Sequence, residues 1–364
     1  MHKKNPSTPS STPPKPASLA DVAAMAGVST GTVSRTLSRP EMISEETRDR
    51  VMQAVRTLGY VVNGAARTLA MRRSKTIGAV VLKFGSSNFA SVVEGLESVV
   101  SKKGYTLLLS APVPDGETEF SALAAMLARG VDAIALLGFE GQEAAQNILA
   151  RYPIPCAHLW GDPKSGGHCI GLDEAENGRI ALQHVADLGH QHIGLIWGHV
   201  DGALRYRSRQ RLQGVKTAAR KRGITIVPAA TIHTEHGFEQ GHLAAEHILN
   251  ARTDTNPDTK VTALLCASDY LAVGAMHGLT QHGVNVPKDM SVVSFNDNDF
   301  SAYMNPPLTT VHLPIREVGM KAGHYLLDCL GEEMGADEYA LNVSLRERGS
   351  SGPVRAQRAA GRKR

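Results

Sequence analysis

Within seven residues the chain carries Ser29, Thr30, Thr32, Ser34 and Arg35, four hydroxyls and one guanidinium around Gly31. Such groups on one face of a short helix can donate to phosphate oxygens and to base edges, the chemistry of a helix lying in the major groove of DNA. The elements that must present them are legible alongside. Leu19, Val22, Ala23 and Ala26 recur at i, i+3, i+4 and i+7, the buried face of a helix that Ser18 can cap with Asp21 reaching back. Gly27 permits a sharp turn. Ser29 then caps a second helix whose Val33 and Leu37, four apart, pack back on the first and leave Thr30, Gly31, Thr32, Ser34 and Arg35 outward. The pattern predicts a helix-turn-helix.

Other reactive residue types do not gather. Four cysteines (Cys156, Cys169, Cys266, Cys329) form no close pair, so neither a disulfide framework nor a zinc site is expected. His233, His236, His242 and His247 spread over a loop and a helix start and read as solvated surface rather than metal ligands. No Walker loop, no His-Glu-x-x-His and no Gly-x-Gly-x-x-Gly after a strand is present, so no enzyme, no metal and no cofactor is expected.

Charge is uneven along the 364 residues. The net charge of +4 combines twelve Lys/Arg against five Asp/Glu in residues 1–75 and seven against one in residues 346–364 with an acidic middle. A basic head on an acidic body fits a polyanion-binding module joined to a small-molecule domain. The last run (Arg355, Arg358, Arg362, Lys363, Arg364) reads as a solvated tail. The N-terminus lacks the apolar stretch of a signal peptide and no run approaches ~18 apolar residues, so a cytoplasmic, nucleoid-associated location and no membrane partner are expected.

Residues 1–17 are Ser/Thr/Pro-rich and predict a disordered arm; 18–62 predict the three-helix DNA-binding unit, its third helix running from Glu45 to Leu58 behind Ser44. In 63–75, Asn63 can cap a helix of about seven residues, too short to hold alone in water, which must find a partner or stay unfolded. From Thr76 to 345 apolar strands alternate with helices: Ile77–Leu82, Tyr105–Leu109, Ala133–Leu137, Cys156–Leu159, Cys169–Leu172, Ile193–Trp197, Thr225–Val227, Ala263–Cys266 and Ser291–Phe295. That predicts an α/β core of two doubly wound parallel sheets, with a ligand cleft at the carboxyl ends of the strands. Residues 346–364 predict a basic disordered tail.

Over about residues 18–345 the chain resembles the lactose-repressor-type (LacI) transcriptional regulators. The resemblance is carried by LADVAAMAGVSTGTVSRTL, ISEETRDRVMQAVRTLGYVVNGAARTLA, TIGAVV, LGHQHIGLI, RLQG, SDYLAVGAM, VPKDMSVVSFND and NPPLTTVHLP, in the family's order. It implies a helix-turn-helix headpiece, a hinge helix and a two-lobed core similar to periplasmic sugar-binding proteins. A homodimer on a palindromic operator is implied, with affinity set by a small effector: a sugar, sugar acid or other small metabolite. It places base contacts at Thr30, Gly31 and Arg35 and phosphate contacts at Ser29, Thr32 and Ser34. Arg35 can meet guanine with two hydrogen bonds and Thr30 can offer its methyl to thymine, whereas Gly31 has no side chain to read a base. Leu69 is implied as an apolar wedge in the minor groove, with Asn63, Ala66 and Arg67 near the backbone.

For the effector, the resemblance implies Phe89, Trp160, Asp173, Arg211, Ser268, Asp269 and Asn296. Ser268-Asp269 stands where Asn-Asp is commoner and Asn296-Asp297 where Asp-Asp is commoner, which changes the hydroxyls that can be bound. Each also has a structural reading: Phe89 and Trp160 as core aromatics, Asp173 as the cap of a helix from Ala175 to Leu188, Asp269 as the cap of one starting at Tyr270, Leu69 as packing between lobes. The competing function is an effector-independent architectural DNA binder, whose operator affinity no ligand changes.

Overall fold

Ser18 Oγ accepts the Asp21 N–H at 3.3 Å while Asp21 Oδ2 accepts the Ser18 N–H at 2.8 Å, so both ends of a reciprocal cap open the first helix, α1 (Leu19–Ala26). Gly27 ends it at φ +66°, a left-handed conformation that a side chain would strain. The second helix, α2 (Thr30–Ser38), begins at Ser29, whose Oγ accepts the Thr32 N–H at 3.0 Å. A third, α3 (Glu45–Leu58), closes the group. Val22, Ala23 and Ala26 of α1, Val33 of α2, and Val51 and Ala54 of α3 form its buried core. That core is small, and at about 1.5–3 kcal/mol for each large buried side chain it suits a module held at modest stability.

The structure is a computed structural model, and it describes residues 15–62, 64, 68, 73–81, 87–111, 118–138, 143–161, 168–198, 205–250, 260–334 and 341–354. It divides into two compact units, residues 1–74 and 75–364. Asn63, Ala66, Arg67 and Leu69 lie outside the described residues.

The second unit contains two sheets. In the first lobe, β1 (Thr76–Val81), β2 (Thr106–Ser110), β3 (Ala133–Leu137), β4 (Cys156–Leu159) and β5 (His168–Ile170) lie parallel in the order β2-β1-β3-β4-β5. Alternation within these strands assigns their faces. Ile77, Ala79, Ala133, Ala135 and Leu137 join the core containing α4 (Ser87–Val100), whereas Val80, Ile134 and Leu136 join the one containing α5 (Thr118–Ala128) and α6 (Glu143–Arg151).

The second lobe holds α7 (Glu174–Asp187), β6 (His192–Gly198), α8 (Arg205–Arg222), β7 (Thr225–Thr234), α9 (Phe238–Asn250), β8 (Ala263–Cys266), α10 (Asp269–Gln281), β9 (Ser291–Asn296) and β10 (Thr309–His312). The chain then returns through α11 (Ile315–Cys329), which packs on α4 and β4 of the first lobe. It ends with β11 (Ser344–Arg346), antiparallel to β10 at the edge of the sheet β11-β10-β9-β8-β6-β7.

Three helix pairs meet backbone to backbone. A Cβ on Gly95 of α4 would lie 2.0 Å from the Arg316 carbonyl oxygen of α11, one on Gly214 of α8 2.0 Å from that of Ala175 in α7, and one on Gly274 of α10 1.8 Å from that of Phe238 in α9.

Two findings depart from the sequence expectation. β10 and β11 were not expected as strands, because Thr309 and Thr310 are polar, yet both are fully buried. The disordered tail expected from residue 346 is also corrected as far as Val354. Arg348 Nη2 donates to Asp297 Oδ1 at 2.6 Å, Ser350 Oγ to the Val292 carbonyl at 2.7 Å, and Ser351 Oγ sits 2.8 Å from His184 Nε2. A charged, Ser/Gly-rich stretch reads as solvated, but here Arg348, Ser350 and Ser351 find partners at β9, β10 and α7.

Candidate functional site

The exposed side of α2 is fixed from within. Val33 and Thr36 are buried, Thr36 Oγ1 donates to the Thr32 carbonyl at 2.8 Å, and the Ser29 and Thr32 hydroxyls lie 2.9 Å apart. Thr30, Ser34 and Arg35 are exposed, and their side-chain polar atoms have no hydrogen-bond partner among the described residues. Gly31 leaves room above the helix, where a Cβ would meet only Ser29 Oγ at 3.7 Å and Arg35 Nη2 at 3.8 Å. This face can therefore supply hydroxyl and guanidinium donors without first breaking a bond.

At the carboxyl ends of the strands a charged cluster is built by the α7–α8 contact. A Cβ on Gly178 would sit 2.1 Å from the Arg211 carbonyl oxygen, so the helices touch just where Glu174, in the first turn of α7, faces two arginines one turn apart on α8. Arg211 Nε and Nη2 donate to Glu174 Oε2 at 2.9 and 2.6 Å, Arg207 Nε donates to Oε1 at 2.8 Å, and Asn177 Nδ2 adds a bond at 3.0 Å. Burial alone would raise the Glu174 pKa, but Arg211 and Arg207 outweigh it and hold the carboxyl at about 2. Burial draws the Arg211 guanidinium down while Glu174 opposes it; a guanidinium's ordinary value is far enough above neutral that it stays charged. Arg211 Nη1 also donates to the Ala267 carbonyl at 3.2 Å, and its guanidinium lies 4.6 Å from the Phe295 ring centre.

The first lobe meets this cluster through Trp160. The Arg207 guanidinium lies 4.4 Å from the Trp160 ring centre, and Phe89, near the start of α4, lies 6.0 Å from the same indole. Trp160 has φ +62°, and Asn296 and Asp297 at the end of β9 have φ +113° and +60°. Non-glycine residues in this region cost on the order of 1–3 kcal/mol each and concentrate at functional sites. A second link between lobes runs from Ser87 Oγ to Asn298 Oδ1.

The remaining expected residues have other occupations. Asp269 is buried and its two oxygens accept five bonds, from Ser294, Thr310, Ser301 and both the backbone and side chain of Asn298. Burial raises its pKa against those donors, and its position ties α10 to β9 and β10. Ser268 caps α10 through the Leu271 N–H and lies 3.1 Å from His236 Nδ1. Asp173 does not join the cluster: it is exposed and caps α7 by accepting the Glu176 N–H at 2.9 Å. Phe89, Trp160, Arg211 and Asn296 are brought to the cleft ends of the strands; Glu174, Arg207 and Phe295 were not anticipated. The i,i+4 spacing of Arg207 and Arg211 carries the signal for the first arginine, whereas Glu174 was masked by the adjacent cap. Among the described residues no group of three or more His, Cys, Asp or Glu is placed to hold a metal, and no helix is long and apolar enough to cross a membrane.

Comparison with known proteins follows the same division. A family model for bacterial regulatory proteins of the lacI family matches residues 18–63, and one for a periplasmic binding protein-like domain matches residues 182–351. The chain is 32% identical over 314 residues to the HTH-type transcriptional repressor PurR of Vibrio cholerae, covering 86% of this chain and 91% of the relative. It is 30% identical over 312 residues to the ribose operon repressor of Haemophilus influenzae, covering 85% and 91%. Its fold is similar to that of the lac repressor dimer bound to operator and the anti-inducer ONPF, with a TM-score of 0.80 at 27% identity, over 93% of this chain and all of that one.

Proposed function

The chain belongs to the lacI family of bacterial regulatory proteins, and on that footing we propose how this DNA-binding, ligand-controlled repressor reads its operator and is switched. Residues 18–62 form the reading head. Arg35 and Thr30 contact base edges, Ser29, Thr32 and Ser34 contact phosphates, and Gly31 lets the α2 backbone approach without reading a base. The observation that carries this reading is the face of α2 on which Thr30, Ser34 and Arg35 stand exposed with their side-chain donors unengaged.

Two copies read a palindrome. Exposed Phe238, Leu243 and Tyr303 give the second lobe apolar surface for a second copy. The short helix expected from Asn63 to Leu69 pairs with its counterpart from a second copy on DNA, with Leu69 wedged into the minor groove and Asn63, Ala66 and Arg67 along the backbone. An effector held between the lobes by Arg207, Trp160, Phe89 and Asn296, with Arg211 fixing the Glu174 that positions Arg207, shifts the lobes and so the paired segments; Ser268, Asp269 and Asp173 hold the helix starts around it. The protein works in the cytoplasm and catalyses no reaction.

Selection of genomic duplexes on the purified protein, followed by fluorescence anisotropy, tests the reading. A palindromic site is expected to emerge, and Arg35→Ala should lose about 1–3 kcal/mol of affinity for it while random-duplex binding changes less. No preference for any palindrome would overturn the assignment. An operator affinity that no metabolite extract alters would favour an architectural binder.

A further inference from the structure

The hydrogen-bonding inventory at the cleft ends of the strands is lopsided. Both acids close to the arginines are fully engaged: Glu174 accepts four bonds and Asp269 five. A third, Asp297, is held by Arg348 Nη2 at 2.6 Å and His312 Nδ1 at 3.1 Å. The donors are different. Among the described residues Arg207 donates only through Nε, leaving the four N–H groups of its two η nitrogens unbonded over the Trp160 face. Trp160 Nε1 is buried with no acceptor, in a residue that is 3% exposed. Against these, the buried unbonded atoms beside the cluster that can accept are, among the described residues, Asn177 Oδ1 and the hydroxyl of Ser208, which also donates.

A neutral polyol needs acceptors as well as donors, because each hydroxyl hydrogen taken out of water must be received, and an unreceived one costs about 1–3 kcal/mol. An oxyanion needs donors alone; the planar guanidinium fork supplies some, and the N–H of the indole it covers supplies another. Resting on the effector-controlled reading above, we propose that the effector is a small oxyanion, a carboxylate or phosphate ester, whose charged group is received by Arg207 Nη1 and Nη2 and Trp160 Nε1, with Arg211 kept for Glu174. Arg207 then joins the lobes through the ligand as well as through the indole it covers.

The test uses the full-length protein on its selected operator and, as probe, a bacterial metabolite extract split by anion exchange. The retained fraction is expected to change operator affinity, and the neutral flow-through to leave it unaltered. Activity confined to the flow-through overturns the proposal. Activity in neither fraction overturns effector control itself, so the two failures are distinguishable. Alkaline phosphatase treatment then separates the sources: loss of activity identifies a phosphate ester, persistence a carboxylate.

In Arg207→Met, which leaves Glu174 its three bonds from Arg211 and Asn177, the response to the retained fraction should fall at least tenfold. Arg207→Lys, which keeps the charge but not the fork, should retain part of it. Both variants are checked by thermal melting. An undiminished response in a folded Arg207→Met overturns the assignment of that residue.

Discussion

Glu174 is the side chain whose surroundings are most demanding. It is buried, it stays ionised, and two guanidiniums and an amide answer it. Ion clusters of this kind do little for net stability compared with apolar packing, yet removing one member strands the others. Glu174→Gln should therefore destabilise the core by about 3–5 kcal/mol, measured as a lower urea midpoint at unchanged slope. The resemblance pointed to Arg211, Trp160 and Phe89, and the structure gathers them around Glu174 and Arg207. Glu174 was not legible: its meaning depends on α8 lying against α7, which no local pattern in residues 173–178 reports. Asp173, one residue earlier, carries an ordinary capping signal and fulfils it.

At the scale of elements, the period-2 and 3.6 patterns located eight strands to within a few residues and the start of β7, which runs on to Thr234; β3 and β8 are continuous apolar runs buried on both faces. The patterns failed where polar residues are buried in one another's company. His190 illustrates this, with Nδ1 2.8 Å from Thr262 Oγ1 and Nε2 3.1 Å from both Ser291 Oγ and the Gly352 carbonyl. His184 reaches Ser351 in the same way. Burial is the main cause that lowers the pKa of both histidines below the ordinary value. The unfolded chain therefore takes up protons first as the pH falls. The stability these neutral rings preserve is complete above about pH 6.5 and declines as the pH drops through their lowered values. The thermal midpoint of the core should fall between pH 7.5 and 5.5, and His190→Gln should flatten that slope. A midpoint that rises on acidification would contradict the account.

At the scale of the whole molecule, ligand and operator act on one equilibrium and must be reciprocal. Whatever factor an effector applies to operator affinity, saturating operator must apply to effector affinity, and titration calorimetry with and without the duplex reads both. At a hundredfold excess over its Kd the effector should add about 2.7 kcal/mol to the stability of the core. The three glycine-to-carbonyl contacts, Gly95 on Arg316, Gly214 on Ala175 and Gly274 on Phe238, determine what form the response takes. With backbones already touching at these pairs, neither helix of a pair can move toward its partner, and a lobe that is tilted by an effector would turn as a stiff lever. Among the described residues the chain passes between the lobes at Gly171–Asp173 and at Leu313–Pro314. A stiff lever magnifies: a small tilt set at the carboxyl ends of the strands is largest at the opposite margin of the first sheet, where Lys75 feeds the chain into β1.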